Sequence, residues 1–237
     1  MSSFYTDGTY LSNNPTWHAQ DAPWKLMHIR RVLAQAQLPA FSTVIDVGCG
    51  SGEIIKQWAM QAPQLQFTGW DISPQACELA RRQLPKQVRI LEGEKFPTGP
   101  FDLALAIDVL EHIADASLWF KQFLTLAPYA VLHVPLDLSL RSWLFPQLLE
   151  RERQQVGHVH FFTARSLSCF LQEHGCQVLA AHYTNKYVEC PPALPRFKSK
   201  VGMFIRRMAH KGLPPACAAA CVGGYSLMLV IKTPTKF

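Results

Sequence analysis

Three carboxylates around a glycine-rich turn are the features of this sequence that most directly indicate chemistry. Asp46 lies in VIDVGCGSG, Asp71 in GWDIS and Glu92 in RILEGE, each at the end of a predicted strand. The carboxyl ends of parallel strands are where open α/β sheets bind ligands. Glycines have no Cβ atom, so a ligand can lie directly against the backbone of such a turn. The combination indicates a nucleotide-like ligand that carries positive charge.

Two other glycine-rich nucleotide motifs do not fit this turn. The dinucleotide fingerprint G-x-G-x-x-G requires glycine at position 53, which is Glu53, and the Gly-Lys-Ser/Thr of a P-loop is missing. A pyrophosphate at the helix N-terminus would also face the carboxylates of Asp46 and Glu53. Asp71 follows Gly50 by about the 20 residues at which an acid reaches a ribose diol. S-adenosylmethionine, with its ribose, sulfonium and ammonium groups, satisfies these features.

The sequence resembles the class I S-adenosylmethionine-dependent methyltransferases, and specifically the small-molecule branch similar to ubiquinone-biosynthesis enzymes (types 11 and 23). The resemblance covers residues 41–185 and is carried by VIDVGCGSGEI, GWDIS, LEGEKFP, FDLALAIDVLEHI and VGHVHFFT. It implies S-adenosylmethionine as the cofactor. The implied cofactor contacts are Asp46, Gly48, Cys49 and Gly50 in the first turn, Asp71 at the ribose, Ile72 at the adenine face, Glu92 and Gly93 at the adenine edge, and Asp108 and Val109 at the sulfonium.

Three histidines are candidates for the reacting side of the site. His112 follows the fourth predicted strand, and its imidazole suits a base at neutral pH. His158 and His160 are separated by one residue, and strand-like alternation would place both side chains on one face. Our hypothesis is that these histidines orient the acceptor or remove its proton, and solvated or helix-capping roles are the alternatives. A shared face would also suit zinc or iron, with His133 or Asp137 as further ligands. The sequence has no spaced Cys/His set and no H-E-x-x-H motif, so we expect no metal site.

A basic segment near the C-terminus is a second candidate for acceptor binding. No acidic residue follows Glu189, whereas eight basic residues do. The prolines on either side of residues 196–211 lead us to expect a helix of only about ten residues there, which is marginal as a membrane anchor. We expect Arg206 and Arg207 to bind an anionic group of the acceptor. Peripheral membrane contact and a solvated surface are the alternatives.

The acceptor is expected to be a small molecule, anionic or lipid-like, methylated by direct displacement. Methyltransferases that act on base nitrogens resemble one another in an Asp/Asn-Pro-Pro-aromatic motif after strand four, where this chain has Ile107-Asp108-Val109-Leu110. Pyrimidine C5 enzymes use Pro-Cys, whereas only the reversed Cys190-Pro191 occurs. DNA is therefore not an expected partner. An RNA or protein methyltransferase, or an inactive cofactor-binding partner subunit, is the alternative.

Strands alternate with helices along the chain, which predicts a Rossmann-like α/β fold. We expect a seven-stranded, mostly parallel sheet with helices on both faces and an antiparallel final strand. Strands are predicted at 43–47, 66–71, 88–92, 102–107, 129–134, 177–183 and 225–231, and helices at 21–37, 54–60, 74–83, 115–125 and 163–174.

The division of the chain follows from these elements. Residues 1–40 are predicted to form an N-terminal lid and helix, 41–185 the S-adenosylmethionine-binding core, and 186–237 a basic insertion and final strand that complete the same domain. Tyr10, Trp17 and His18 precede the first strand, where a segment can fold over a cofactor as a lid.

Composition places the protein among folded chains of the cytoplasm. The 237 residues are 49% hydrophobic with a mean hydropathy of +0.03, which is too apolar for a disordered chain. The sequence has no uncharged apolar run of about 18 residues that could span a bilayer. The first residues lack the basic and apolar regions of a signal peptide. Seven scattered cysteines without a C-x-x-C pair predict neither a disulfide framework nor a zinc ribbon.

Overall fold

A seven-stranded sheet forms the centre of the protein. The computed structural model describes residues 19–190 and 197–234, so the predicted lid residues Tyr10, Trp17 and His18 lie outside the described residues. The strands are β1 Thr43–Val47, β2 Gln66–Asp71, β3 Arg89–Glu92, β4 Leu103–Ile107, β5 Tyr129–Leu136, β6 Gln177–Thr184 and β7 Tyr225–Lys232. Their order in the sheet is β3-β2-β1-β4-β5-β7-β6. β1 to β5 pair in parallel and β7 pairs antiparallel with both β5 and β6, which confirms the predicted fold.

Helices cover both faces of this sheet. Their bounds are α1 Ala22–Ala36, α2 Glu53–Gln61, α3 Pro74–Gln83, α4 Ala116–Leu124, α5 Leu140–Leu144, α6 Gln147–Gln155, α7 Ala164–Glu173, α8 Lys186–Glu189, α9 Phe197–Gly212 and α10 Pro215–Val222. Two hydrophobic clusters fill the space between helices and sheet. One contains buried residues of α4, α7 and α10, and the other those of α1, α2 and α3. The core therefore lies in two layers, and the strand ends remain free to form a site.

Side-chain caps start the helices close to the carboxyl ends of the strands. Ser73 caps α3 by accepting a hydrogen bond from the backbone N–H of Ala76, and Asp115 caps α4 by accepting one from Leu118. Such caps satisfy backbone donors that a helix start leaves without an intrahelical partner. Ser73 follows the end of β2 by two residues, whereas Asp115 follows the end of β4 by eight residues that include the 3-10 helix Leu110–His112.

The structure differs from the sequence prediction in several helices. Helices α5, α6, α8 and α10 were not predicted. Helix α5 is only five residues long and begins with a Ser139/Ser142 capping box rather than the usual Ser/Thr-x-x-Glu. The expected length of about ten residues for the basic helix is wrong. Helix α9 has 16 residues, because it fills nearly the whole interval between Pro195 and Pro214. Among the helices of the described residues, none combines the length and apolarity needed to cross a bilayer.

Asp102 fastens the start of β4 to the start of β1. Its Oδ2 accepts hydrogen bonds from the backbone N–H groups of Ser42 and Thr43, at 2.8 and 2.9 Å, and from both hydroxyls, at 3.0 and 2.9 Å. These donors, led by the backbone N–H of Ser42, lower the pKa of Asp102 to about 2. Ionised Asp102 therefore stabilises the folded state above its unfolded pKa of 3.8, and the contribution is lost as pH falls toward 2.

We expect Asp102→Asn to lower the free energy of unfolding at pH 7 by about 1 kcal/mol, a value reduced for the solvent exposure of this carboxylate. The difference between wild type and variant should shrink as pH falls from 3.8 toward 2. Urea unfolding followed by circular dichroism would measure both effects. Glu94→Gln, at an exposed acid after β3, is the matched control. A difference that is the same at pH 3 and pH 7 would contradict the role of the ionised carboxylate.

Candidate active site

The glycine turn after β1 is closely packed against the loop after β4. Gly48 and Gly50 have φ values of 77° and 55°, in the left-handed region that favours glycine. A Cβ atom on Gly48 would lie 2.6 Å from Cγ2 of Val109. The backbone N–H of Gly48 donates to the carbonyl of Trp70 at 2.7 Å, which joins the turn to β2. The turn therefore has a fixed shape that a side chain at Gly48 would disrupt.

Asp71, at the end of β2, is buried and bound by backbone donors. Its Oδ2 accepts from the N–H of Gly50 at 2.8 Å and its Oδ1 from the N–H of Ser73 at 2.9 Å. Burial raises the pKa of Asp71, although these donors oppose the shift. The carboxylate is thus held in place beside the glycine turn, where the sequence predicted a ribose contact.

Asp46, in β1, is a second buried acid next to the same turn. Burial, together with the charge of Asp71, raises its pKa to about 7, while Lys25 lowers it. A pKa near neutrality means that the free protein retains a proton on Asp46 for much of the time. A bound cation would favour the ionised form, so this carboxyl is suited to an ammonium group of a ligand.

Asp108 directly follows β4, and its side-chain contacts connect this strand to α1, β5 and β6. Its φ of 56° is unusual for a residue other than glycine. Its Oδ1 lies 2.5 Å from Nδ1 of His133, and its Oδ2 lies 2.7 Å from Nζ of Lys25. His133 Nε2 lies 2.9 Å from Oγ1 of Thr184. Burial alone would raise the pKa of Asp108, but His133 and Lys25 hold it well below its usual range, so the carboxylate is ionised.

A cavity of about 1290 Å³ opens beside these residues. Its lining includes Asp46, Glu53 and Asp71, which follow or lie in β1 and β2 and which we call the acidic end. The lining also includes Arg141, Arg151 and Arg206, which lie on α5, α6 and α9 and which we call the basic end. The acids Asp137 and Glu152 also line the cavity. The volume exceeds the roughly 300–1,000 Å³ of a typical ligand pocket, so it has room for a cofactor and a second molecule.

The three candidate histidines separate into two groups. His112 and His158 line the cavity, and their ring centroids are 4.9 Å apart. Nδ1 of His158 lies 2.8 Å from Oδ2 of Asp137. His160 is not among the lining residues, and its Nε2 lies 3.2 Å from the carbonyl oxygen of Ala114. The prediction that His158 and His160 share one face is wrong, because their segment forms no strand.

Glu111 lies beside this pair, fully buried at 0% exposure. Neither of its carboxylate oxygens has a hydrogen-bond partner among the described residues, and Oε1 lies 3.9 Å from Nε2 of His112. Burial and the charge of Asp108 raise the pKa of Glu111 well above its usual range. Burial, with a smaller effect of His158, lowers the pKa of His112 to about 4. At neutral pH the ring of His112 is therefore uncharged in the ligand-free protein, and burial favours the protonated form of Glu111.

Arg206 extends into the cavity from α9, whereas Arg207 is exposed and does not line it. The guanidinium of Arg206 lies over the ring of Tyr187, 4.3 Å from its centroid. A Cβ atom on Gly224 would lie 2.7 Å from Nε of Arg206, so the glycine provides the space for this side chain. That Nε is buried and has no hydrogen-bond partner among the described residues. Of the two arginines predicted from the sequence, the structure places one in the cavity.

Of the remaining residues predicted to contact the cofactor, some line the cavity and others do not. Ile72, Val109 and Cys49 line the cavity. Burial keeps the pKa of Cys49 well above its usual range, so its thiol stays protonated. The two residues expected at the adenine edge, Glu92 and Gly93, are not among the lining residues. Glu92 is exposed, and its Oε2 lies 2.8 Å from Nη1 of Arg81.

Sequence reasoning missed the roles of Lys25, Glu111 and Tyr187. Lys25 gives no signal in the sequence, because a charged residue on an amphipathic helix normally faces water. Glu111 was equally well explained as an acid at a helix start. His133 did carry a signal, since a histidine inside the apolar run of β5 requires a polar partner when buried. That partner, Asp108, lies 25 residues earlier and is known only from the fold.

Comparison with known proteins identifies relatives of this chain. A family model described as a methyltransferase domain matches residues 18–181. The trans-aconitate 2-methyltransferase of Azoarcus sp. strain BH72 is 30% identical over 131 residues, which are 51% of this chain and 47% of that protein. The ubiquinone biosynthesis O-methyltransferase of Xanthomonas axonopodis pv. citri is 30% identical over 112 residues, which are 42% of this chain and 46% of that protein. The chain thus spans about half the length of the curated relatives it matches.

A solved structure has the same fold over nearly the whole chain. It is the magnesium protoporphyrin IX methyltransferase of Synechocystis PCC 6803 with bound S-adenosylhomocysteine, similar with a TM-score of 0.59 and 14% identity. The match covers 98% of this chain and 97% of that one. At this identity the likeness shows the fold alone.

The pKa of Asp46 leads to a prediction about ligand binding. S-adenosylhomocysteine should bind about tenfold more tightly at pH 7.5 than at pH 5.5, because its ammonium favours the ionised form of a carboxyl whose pKa is near 7. Isothermal titration calorimetry would measure the dissociation constants. Asp46→Asn should weaken binding and remove this pH dependence, whereas Glu173→Gln, at an exposed acid of α7, should preserve both. The same pH dependence in Asp46→Asn would contradict the assignment.

Proposed function

Because the chain belongs to the methyltransferase domain family, whose class I members use S-adenosylmethionine, we propose that it transfers a methyl group to an oxygen of a small anionic acceptor. The observation that carries this proposal is the charge distribution of the cavity. A cationic cofactor suits the acidic end, and an anionic acceptor suits the basic end. The sheet order separates the two ends, since β1 and β2 lie on one side of β4 whereas β5 and β7 lie on the other.

The residues of the acidic end fit S-adenosylmethionine. The fixed glycine turn leaves no space for a side chain at Gly48, and Asp71, held beside this turn, is the contact that we propose for the ribose diol. Asp46 offers a buried carboxyl to the ammonium group, and Asp108 places a negative charge on the sulfonium side. When bound, the cofactor supplies a methyl group on sulfur, which an acceptor oxygen attacks in line as the sulfur–carbon bond breaks.

His158 and His112 are the residues best placed to orient the acceptor oxygen. Asp137 fixes the ring of His158 through Nδ1, which leaves Nε2 as the free atom of that imidazole. The low pKa of His112 keeps its ring neutral, so it accepts a hydrogen bond rather than repelling the cationic cofactor. We therefore assign both histidines to the acceptor and keep His160 outside the site.

Arg206 is the proposed contact for the anionic group of the acceptor. Its buried, unpartnered Nε and its position over Tyr187 leave the guanidinium available to a carboxylate or phosphate. The relatives support this acceptor class. One is named for trans-aconitate, which is a carboxylate, and another is named as an O-methyltransferase.

A catalytically inactive cofactor-binding subunit is the second candidate function. It explains the glycine turn and the three acids near it. It gives no reason for a histidine oriented by Asp137, nor for the half-buried arginine of α9, both of which line the same cavity as the cofactor residues. We therefore favour the enzyme.

Methyl transfer from labelled S-adenosylmethionine to a panel of acceptors would test the proposal. The panel should contain di- and tricarboxylates, phenols with a carboxylate and neutral analogues of each. We expect transfer to an anionic member, with a methyl ether or ester identified by mass spectrometry. Binding of the cofactor without transfer to any member would support the inactive subunit instead.

Arg206 and Arg207 form a matched pair for testing the acceptor contact. Arg206→Ala should raise the apparent KM for the anionic acceptor by about tenfold or more, because a charge-assisted hydrogen bond is lost, and should leave cofactor affinity unchanged. Arg207→Ala removes the same charge from the exposed face of α9 and should leave KM within twofold of wild type. Equal effects of the two substitutions would show that only the overall charge of the helix matters.

A further inference from the structure

Glu111, His112 and His158 form a cluster of side chains that can ligate a metal ion. One ligand atom from each residue lies within 4.8 Å of the others. Two imidazoles and one carboxylate are the donor set of many iron and zinc centres. We propose that this cluster binds a divalent first-row transition-metal ion at the acceptor side of the cavity. This inference departs from the expectation of the sequence analysis that the chain has no metal site.

The carboxylate of Glu111 is the first observation that points to a cation. The residue is fully buried, and both of its oxygens lack a hydrogen-bond partner among the described residues. A buried polar group without a partner costs free energy whether or not it is ionised. The side chain lines the cavity beside His112, so a cation there would compensate the cost directly.

The second observation is the orientation of His158. Asp137 lies 2.8 Å from Nδ1 of His158 and accepts its proton in a hydrogen bond. The lone pair is then on Nε2, which is the arrangement of the carboxylate–histidine–metal triads in metalloproteins. His158 is 8% exposed, so the ring is held by its surroundings before any ligand arrives.

The backbone holds the two ligand-bearing segments together. The carbonyl oxygen of Glu111 accepts hydrogen bonds from the N–H groups of Val159 and His160, at 2.8 and 3.0 Å. These bonds join the short 3-10 helix Leu110–His112 to the loop that carries His158. The cluster is therefore assembled by the fold, although its three ligands come from positions up to 47 residues apart in the sequence.

The spacing requires only small side-chain movements on binding. Metal–ligand bonds of about 2.1 Å place ligand atoms roughly 3.4 Å apart in a tetrahedral site. Oε1 of Glu111 and Nε2 of His112 are already 3.9 Å apart. All three residues line the cavity, so the remaining coordination positions of the ion would face the acceptor.

The proposed ion deepens the proposed function and rests on it for its role, though not for its binding. An acceptor hydroxyl bound to the ion would have a lower pKa, so its proton would pass to water in the cavity before the oxygen attacks the methyl group. The ion would change neither its charge nor its oxidation state. Nitrogen ligands favour a transition metal over Mg²⁺ or Ca²⁺, which prefer oxygen.

Metal binding is tested with the purified 237-residue chain. Protein treated with a chelator and dialysed should bind one Co²⁺ per chain, with weak d–d absorption bands. A thiolate-to-cobalt charge-transfer band should be missing, which distinguishes the cluster from the free cysteines at exposed positions. We expect Glu111→Gln and His158→Ala each to weaken Co²⁺ binding by about 100-fold, and Asp137→Asn to weaken it by about tenfold. His160→Asn, two residues after His158 and outside the cluster, should bind as wild type does.

Three results would overturn the proposal. They are a wild-type chain that binds no Co²⁺, binding that survives both Glu111→Gln and His158→Ala, and a cobalt spectrum dominated by thiolate. Circular dichroism of each variant shows whether lost binding reflects lost structure. If His158→Ala is unfolded, Asp137→Asn, which leaves all three ligands in place, decides the matter. Methyl transfer that persists in chelator without metal would refute the proposed role of the ion in the reaction alone, whereas a metal-loaded chain that transfers no methyl group would refute the proposed function alone.

Discussion

The ion pair between Lys25 and Asp108 is the interaction on which the arrangement of the site depends. Asp108 directly follows the central strand β4 in a left-handed backbone conformation, and it accepts hydrogen bonds from both Lys25 and His133. Burial alone would lower the pKa of Lys25, and the neighbouring Asp108 raises it above its usual value, so both charges persist in the interior. A buried charge without its partner is strongly destabilising. The pair therefore fixes helix α1 against the carboxyl end of the sheet.

A second network of buried side chains joins helix α1 to the far edge of the sheet. His28 of α1 lies 2.8 Å from His182 of β6 and 2.7 Å from Glu189 of α8, and Trp24 Nε1 donates to the same Glu189 oxygen at 3.0 Å. Helix α1 thus contacts the central strands through one ion pair and the edge strand through a histidine pair. Its position over the strand ends makes it a wall of the cavity, because Trp24 and Lys25 both line it.

Features that depend on neighbouring residues were predictable from the sequence, and features that depend on distant contacts were not. The glycine turn, the acid Asp71 and the alternation of strands and helices along the chain follow from local patterns whose physical cause lies within a few residues. The Lys25–Asp108 pair joins positions 83 residues apart, and the pairing of Glu92 with Arg81 depends on how α3 lies beside β3. Likewise, two histidines in VGHVHFFT look equivalent in the sequence. The folded structure distinguishes them, because the ring of His158 contacts the carboxylate of Asp137, whereas the ring of His160 contacts the carbonyl oxygen of Ala114.

The acidic end and the basic end of the cavity are formed by different kinds of structure. The acidic end is made by strand ends and tight turns, where a change at Gly48 or Asp71 would disturb the sheet itself. The basic end is made by helices α5, α6 and α9, which follow β5 or precede β7 as insertions between strands. Such segments tolerate substitution better than strand ends because few backbone hydrogen bonds of the sheet depend on them. The cofactor end is therefore constrained by the fold, whereas the proposed acceptor contacts, such as Arg206, can change without loss of the core.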